Sequence, residues 1–144
     1  MTIRERILVW LLRRTCCHLL PLDQHVYHTW AIQGLGCSLG PIVILATRFV
    51  IEATPEELHA VLAHEEAHRL FHQNYIYEFF LRWLHPQKYS ARRYYQEFEA
   101  DAYAAKLGHA QALASALKSH SRYEEGTFTH PPLSTRLALL ETYF

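Results

Sequence analysis

Hydrophobic residues recur at helical spacing between residues 54 and 72, and this segment carries a clear helix start signal. Thr54 can cap a helix, Pro55 suits its first turn, and Glu57 stands at the return position of a capping box. At about 100° per residue, one half of this predicted helix presents apolar and ionisable side chains together. They are Leu58, Val61, Leu62, His64, Glu65 and His68. The pattern predicts a helix that buries polar groups among apolar ones.

The remaining pattern predicts an α+β fold, mostly helical with a small sheet. Half of the 144 residues are hydrophobic, so one domain spanning residues 1–144 can bury a core without help from disulfides. Other helices are predicted over residues 1–22, 90–107, 110–120 and 132–143, and strands over 29–35 and 41–46. Residues 29–35 are the expected sheet edge, and residues 83–88 the expected connection between two helices. The aromatic run at 75–83 is expected in the core or at an interface.

His64, Glu65 and His68 form an H-E-x-x-H motif on the first predicted helix. This spacing places two imidazoles on one helix face, where they can bind one zinc ion while the glutamate acts on a water molecule. Composition alone gives roughly 0.07 chance occurrences of the motif in such a chain. The motif is therefore only moderately specific, and the surrounding sequence decides whether it indicates a zinc site. His72 continues the series but lies about 12 Å along the axis from His64. His72 is therefore expected at the helix end or behind the ligands.

A zinc site of this kind needs a third protein ligand, which Glu97 can supply from the helix predicted over 90–107. Gly108 is expected to end that helix. Asp101 lies one turn after Glu97 and suits a carboxylate that accepts the outer N–H of a ligating imidazole. The alternative for Glu97 is a surface ion pair with Arg93.

The two sides of the 90–107 helix differ in character. The packable side carries Tyr94, Glu97, Ala100, Asp101 and Ala104. The other side is expected in solvent and carries Arg92, Gln96, Glu99, Tyr103 and Lys106. Small residues beside Glu97 would let this helix approach the H-E-x-x-H helix closely.

Three motifs in order resemble the gluzincin metallopeptidases of the HtpX and CaaX-prenyl-protease family, in a minimal form without membrane spans. They are H-E-E-A-H at 64–68, E-F-E-A-D at 97–101 and H-P-P-L-S-T-R at 130–136. The resemblance covers roughly residues 34–140. Residues 34–66 are also similar to BlaR-type antirepressor peptidases. Both resemblances imply a zincin-like fold and one zinc ion per chain.

The resemblance implies roles for individual residues. His64, His68 and Glu97 bind zinc, and Glu65 is the general base. His130 and Arg136 serve transition-state stabilisation and the architecture of the site. Arg136 is expected to orient His130 or Glu97, with a position on the surface of the last helix as the alternative.

The function predicted from these residues is zinc-dependent hydrolysis of a protein or peptide substrate. A metal-activated water attacks the peptide bond, and Glu65 takes its proton and passes it to the leaving amine. His130 is the expected donor to the oxyanion. Two alternatives stay open, namely a cytosolic ImmA-like antirepressor peptidase and a latent or non-catalytic zinc-binding domain.

Composition and charge limit which classes of partner and which cellular compartments are expected for this chain. The net charge is zero, which gives no reason to expect nucleic acid. No run of about 18 apolar residues predicts a transmembrane helix, unlike in the membrane-embedded relatives. Three cysteines without a disulfide framework favour the cytoplasm. Residues 1–22 lack a signal-peptide cleavage site and predict a helix that packs on the domain, or alternatively touches a membrane through Arg4, Arg6, Arg13 and Arg14. The pattern does not predict an oligomeric state.

Overall fold

The computed structural model describes residues 2–15, 19–32, 34–72, 74–121 and 124–144, which form helices around a small sheet. The strands are β1 (Leu20–Pro21), β2 (Val26–Thr29), β3 (Gly36–Leu39) and β4 (Ile42–Ala46). The helices are α1 (Ile3–Thr15), α2 (Thr47–Glu52), α3 (Pro55–Phe71), α4 (Tyr75–Leu84), α5 (Pro86–Ala104), α6 (Ala110–His120) and α7 (Leu133–Glu141). The predicted α+β class, mostly helical with a small sheet, is confirmed.

The start of α3 is a complete capping box, as its sequence predicts. The Glu57 N–H donates to Thr54 Oγ1 at 3.2 Å, and the Thr54 N–H donates to Glu57 Oε2 at 3.0 Å. The hydroxyl of Ser115 on α6 donates to the second Glu57 oxygen at 2.6 Å. The bond from Ser115, followed by that from the Thr54 N–H, lowers the pKa of Glu57. The cap therefore also joins α3 to α6.

The sheet has the strand order β1-β2-β4-β3, with β4 inside and β3 at one edge. β2 and β4 are parallel, whereas β3 and β4 form an antiparallel hairpin that pairs Leu39 with Ile42. The hairpin turns at Gly40, whose positive φ of 57° suits glycine. The prediction of residues 29–35 as the edge strand is wrong, because β2 ends at Thr29 and this hairpin places β3 outside β4.

Two hydrophobic clusters lie on opposite faces of β4. Val43 and Leu45 join the larger cluster with residues of α2, α3, α6 and α7. Ile42 and Ile44 join a smaller cluster with Val9 of α1. All five residues of β4 are buried, as expected for a strand covered on both faces. The predicted N-terminal helix over 1–22 is too long, since β1 already occupies Leu20–Pro21.

The region between the two motif helices contains an additional helix, α4, that the sequence pattern did not indicate. Asn74 caps it, His85 separates it from α5, and Pro86 is tolerated in the first turn of α5. The predicted connection at 83–88 is therefore mostly helical. Phe79, Phe80 and Trp83 on α4 are exposed, so a core position is wrong for them, and the alternative of an interface stays a prediction.

The end of the helix that carries Glu97 agrees with the prediction. Residues Ala105–His109 connect α5 to α6, and Gly108 among them has a non-helical φ of 89°. Glycine tolerates this left-handed conformation, so helical geometry is interrupted at the residue where the sequence predicts the end of the helix. No helix in the described parts of the chain is long and apolar enough to cross a membrane. The adjacent cysteines Cys16 and Cys17 lie outside the described residues.

We expect Thr54→Ala to lower the free energy of unfolding by about 1 kcal/mol, because the Glu57 N–H loses its acceptor. Thr54→Ser keeps a hydroxyl and should retain most of the stability. Urea denaturation followed by circular dichroism measures both variants. Equal stability of Thr54→Ala and the wild type would show that the cap does not stabilise α3.

Candidate metal centre

The side chains of His64, His68 and Glu97 converge between α3 and α5. The Nε2 atoms of the two histidines lie 3.1 Å apart. Glu97 Oε2 lies 3.5 Å from His64 Nε2, and Glu97 Oε1 lies 3.2 Å from His68 Nε2. All three residues are buried, and one atom of each lies within 4.8 Å of the others. Three buried donors aimed at one small region can hold a metal ion.

The charge of the cluster also fits a divalent cation. The buried carboxyl groups are those of Glu65, Glu97 and Asp101, and the buried cation beside them is Arg136. With the carboxyl groups ionised and the imidazoles neutral, Arg136 balances one of three negative charges, and the partly exposed Arg93, 3.8 Å from Glu97, offsets the other two only in part. Such a charge imbalance is costly in a low-dielectric interior. A divalent ion between the imidazoles would balance the remaining negative charge. The donor set of two nitrogens and one carboxylate is one that zinc prefers.

Asp101 contacts His64 at the ring nitrogen that points away from Glu97. Its Oδ1 lies 2.8 Å from His64 Nδ1, which favours a proton on Nδ1 and leaves the Nε2 lone pair facing Glu97. The place predicted for Asp101 from sequence is the place it occupies. Such an outer contact sets the tautomer and the orientation of a ligating imidazole.

Arg136 on α7 is buried and pairs mainly with Asp101. Its Nε and Nη2 donate to the two Asp101 oxygens at 2.8 and 2.6 Å, and its Nη1 lies 3.3 Å from Glu97 Oε2. The alternative of a surface position on the last helix is wrong. Sequence reasoning placed Glu97 or His130 beside Arg136 and missed Asp101, because the contact depends on how α7 docks onto α5.

The shifted pKa values in the cluster show that its acidic groups favour a positive charge on His64. Burial lowers the pKa of His64, but its hydrogen bonds to Asp101 and Glu97 outweigh burial and raise it to about 10. Burial favours the neutral form of Glu97, yet bonds from His64 and then His68 hold its pKa well below the usual range. Burial raises the pKa of Glu65 to about 7. A cation at the Nε2 atoms would take the place of the proton on His64.

Glu65 lines a cavity of about 330 Å³ together with the three candidate ligands. Gly36, Cys37 and Ser38 of the edge strand β3 also line it. A Cβ on Gly36 would lie 2.8 Å from Leu45 Cδ2 and 3.5 Å from Glu65 Cγ, so glycine allows the strand to approach both. Cys37 follows on the same strand and is exposed.

His130 lies at the rim of the cavity, in the loop before α7. Its Nε2 is 3.9 Å from Glu97 Oε1, and its backbone N–H donates to Thr127 Oγ1 at 3.1 Å. The hydroxyl of Tyr94 on α5 donates to the Thr127 carbonyl at 2.8 Å and fastens the loop to that helix. Burial lowers the pKa of His130. The loop thus brings a histidine beside the cluster, although 37% of the side chain is exposed.

Gln96 contradicts its predicted position in solvent, since it is buried against α4. It donates to Glu78 Oε1 at 2.6 Å and accepts from Arg93 Nη1 at 2.9 Å. Arg93 Nη2 lies 3.8 Å from Glu97 Oε1. The Arg93–Glu97 pair is therefore real, but Glu97 is 2% exposed and the pair is not a surface one. The prediction for Gln96 is wrong because the pattern of α5 alone does not show that α4 covers this side of the helix.

His72 caps the end of α3 and lies behind His68. The two rings are 5.3 Å apart, and His72 Nε2 is 3.5 Å from Glu99 Oε2. The position agrees with the sequence-based prediction of a helix-end histidine.

We expect Arg136→Ala to lower the free energy of unfolding by about 3–5 kcal/mol, because it leaves Asp101 buried without its cation. Arg136→Lys keeps the charge but not the paired hydrogen bonds and should recover only part of the loss. The matched control is Arg48→Ala, since Arg48 is exposed and its pair with Glu52 should contribute less than about 1 kcal/mol. Urea denaturation measures all three variants. Equal losses for Arg136→Ala and Arg48→Ala would contradict the buried pair.

Comparison with known proteins gives one match. Residues 73–143 match the profile of Peptidase family M48, a family of zinc metallopeptidases, over just under half of the chain. The matched segment contains Glu97, Asp101, His130 and Arg136, and it begins after the helix that carries His64, Glu65 and His68. No curated protein and no solved structure matches the chain. The match supports a relation to the M48 metallopeptidases and, with it, a peptidase activity.

Proposed function

We propose that this chain is a zinc-dependent endopeptidase with a zincin-like, gluzincin-type domain. The observation that carries the proposal is the convergence of His64, His68 and Glu97 beside Glu65 in one cavity bordered by a strand edge. Two elements supply the donors, and the family match extends over one of them. A purely structural zinc site would be closed by four protein ligands, whereas the part of the chain that the structure describes offers three, and they face a cavity.

His64, His68 and Glu97 would hold one zinc ion per chain. A bound zinc ion would supply Lewis acidity, polarising the scissile carbonyl and acidifying a water molecule. The His64 imidazole is oriented for this task, because Asp101 contacts its Nδ1 and Arg136 holds Asp101. Arg136 is thus a positioning residue in this proposal.

Glu65 is the proposed general base. Its pKa of about 7, raised by burial, matches a group that takes and returns a proton near neutral pH. It takes the proton of the attacking water and delivers it to the leaving amine, so no covalent acyl-enzyme forms. His130 at the rim is the proposed donor to the oxyanion, since it is the other histidine of the cavity that approaches Glu97.

The proposed substrate is a protein or peptide in extended conformation. Among the described residues β3 pairs with β4 on one side only, and residues 36–38 of β3 line the cavity. An extended peptide can add to such an edge through main-chain hydrogen bonds. Apolar side chains in the cavity wall would receive a hydrophobic substrate residue; they are Ile32, Leu35, Val61, Leu113 and Leu117. Cysteine usage favours a cytoplasmic location for this activity.

We expect about one zinc ion per chain in the native protein by elemental analysis, and a substoichiometric amount in Glu97→Ala prepared in parallel. Loss of one of three ligands should weaken binding because the other two cannot enclose the ion. Glu99→Ala is the matched control, since it removes a carboxylate from the exposed side of α5. A native protein that stays folded and binds no zinc on reconstitution would end the proposal.

Glu65→Gln should lower hydrolysis of fluorescein-labelled casein by about 10²–10⁴-fold while zinc content stays at the native level. Glutamine keeps the shape of the side chain but cannot accept the proton from water. The control is Glu66→Gln, whose carboxylate pairs with Arg69 outside the cavity and whose loss should leave turnover unchanged. Zinc binding with no hydrolysis in the wild type, before and after trimming of the termini, would favour a non-catalytic zinc domain.

A further inference from the structure

The α4 helix presents an apolar face to solvent, which we call the outer face. It consists of Ile76, Phe79, Phe80, Trp83 and Leu84, whose side chains are between 56% and 76% exposed. The spacing of three and four residues is that of a single helix face. On the opposite side, Glu78 and Leu81 are buried toward the protein. The helix therefore needs only one face to pack on the domain and exposes a second, more apolar one.

The exposed charges along α4 and the first turns of α5 have one sign. Glu78 is the only acidic residue between positions 74 and 95, and it is buried, where it accepts a hydrogen bond from Gln96. Arg82 on the flank of α4 and Lys88 in the next helix are exposed. A short apolar helix with tryptophan, phenylalanine and flanking cations has the composition of an interfacial membrane helix.

We propose that α4 docks this protein onto an anionic lipid membrane. The outer face enters the boundary between headgroups and acyl chains, and Arg82 and Lys88 contact lipid phosphates. Trp83 lies at the level of the headgroups, where indole is favoured. The proposal does not depend on peptide hydrolysis, because lipid binding is measured directly.

A second copy of the chain fits the outer face less well than a lipid surface does. A symmetric pair of α4 helices would bring the exposed Arg82 side chains of both copies near one another, with no acidic group on either α4 surface to balance them. Five side chains on ten residues also provide less than the area of about 800 Å² per partner typical of a stable interface. A membrane accommodates a small apolar face and attracts its cations at the same time.

The α1 helix is a matched comparison within the same chain. It also exposes apolar side chains, among them Ile7 and Trp10, and the sequence left membrane contact of α1 as the alternative to packing on the domain. Arg14, however, lies over the Trp10 ring at 4.4 Å from its centroid. All five residues of the outer face are at least 56% exposed, whereas Ile3 is the one exposed apolar residue of α1 above 55% among those described. We assign the principal contact to α4.

The experiment is cosedimentation of the full chain with vesicles of phosphatidylcholine alone or with added phosphatidylserine. We expect binding to the mixed vesicles and a drop of at least about tenfold for Phe79→Ser combined with Trp83→Ser. Ile7→Ser combined with Trp10→Ser, on α1, should keep most of the binding. Circular dichroism and zinc content must match the wild type, which shows that the variants fold.

Two further measurements separate the outcomes. Arg82→Glu combined with Lys88→Glu should remove the preference for phosphatidylserine, and equal binding to both vesicles in the wild type would overturn the anionic assignment. With Trp10 and Trp30 replaced by phenylalanine, Trp83 fluorescence should be quenched by brominated lipid. Unimpaired binding by the Phe79 and Trp83 variant, or a dimer in light scattering that this variant dissolves, would overturn the proposal.

Discussion

Two buried carboxylates on α5 need partners from other helices, and the rest of the site depends on these contacts. Glu97 and Asp101 lie one turn apart in an interior where an uncompensated charge is costly, so each must have partners. Those partners come from α3, in His64 and His68, and from α7, in Arg136. The requirement to satisfy two acids thus fixes three helices that are far apart in sequence, and the same geometry directs the imidazoles at one point.

The second constraint is the close approach of the sheet to α3. β4 is buried on both faces, so it holds the hairpin partner β3 in a defined position at the edge. Gly36 has no Cβ to separate that edge from Leu45 and Glu65. The cavity therefore has a charged wall from the helices and a main-chain wall from the strand, which is the combination that a peptide substrate would need.

α5 connects the candidate metal centre to the helix proposed to meet the membrane. One side of α5 carries Glu97 toward α3, and the other carries Gln96 toward Glu78 on α4. Arg93 touches both sides, since it donates to Gln96 and approaches Glu97. This polar network holds α4 against α5, because Glu78 could not be buried without these hydrogen-bond partners. It does so although the outer face of α4 is more apolar than the inner one.

Local features of the chain were determined by the sequence itself. The capping box of Thr54 and Glu57, the spacing of His64 and His68, and the one-turn separation of Glu97 and Asp101 follow from the helical period and from hydrogen bonds within a few residues. They sufficed to predict the two helices that carry the motifs, the α+β class and the residues that meet in the cluster.

Tertiary structure alone decided the partners that depend on packing. Arg136 reaches Asp101 only because α7 docks on α5, Gln96 is buried only because α4 covers it, and β3 is the edge only because the hairpin at Gly40 places it outside β4. Each of these contacts joins segments distant along the chain, and a pattern of hydrophobic and polar positions within one segment carries no record of which surface will cover it.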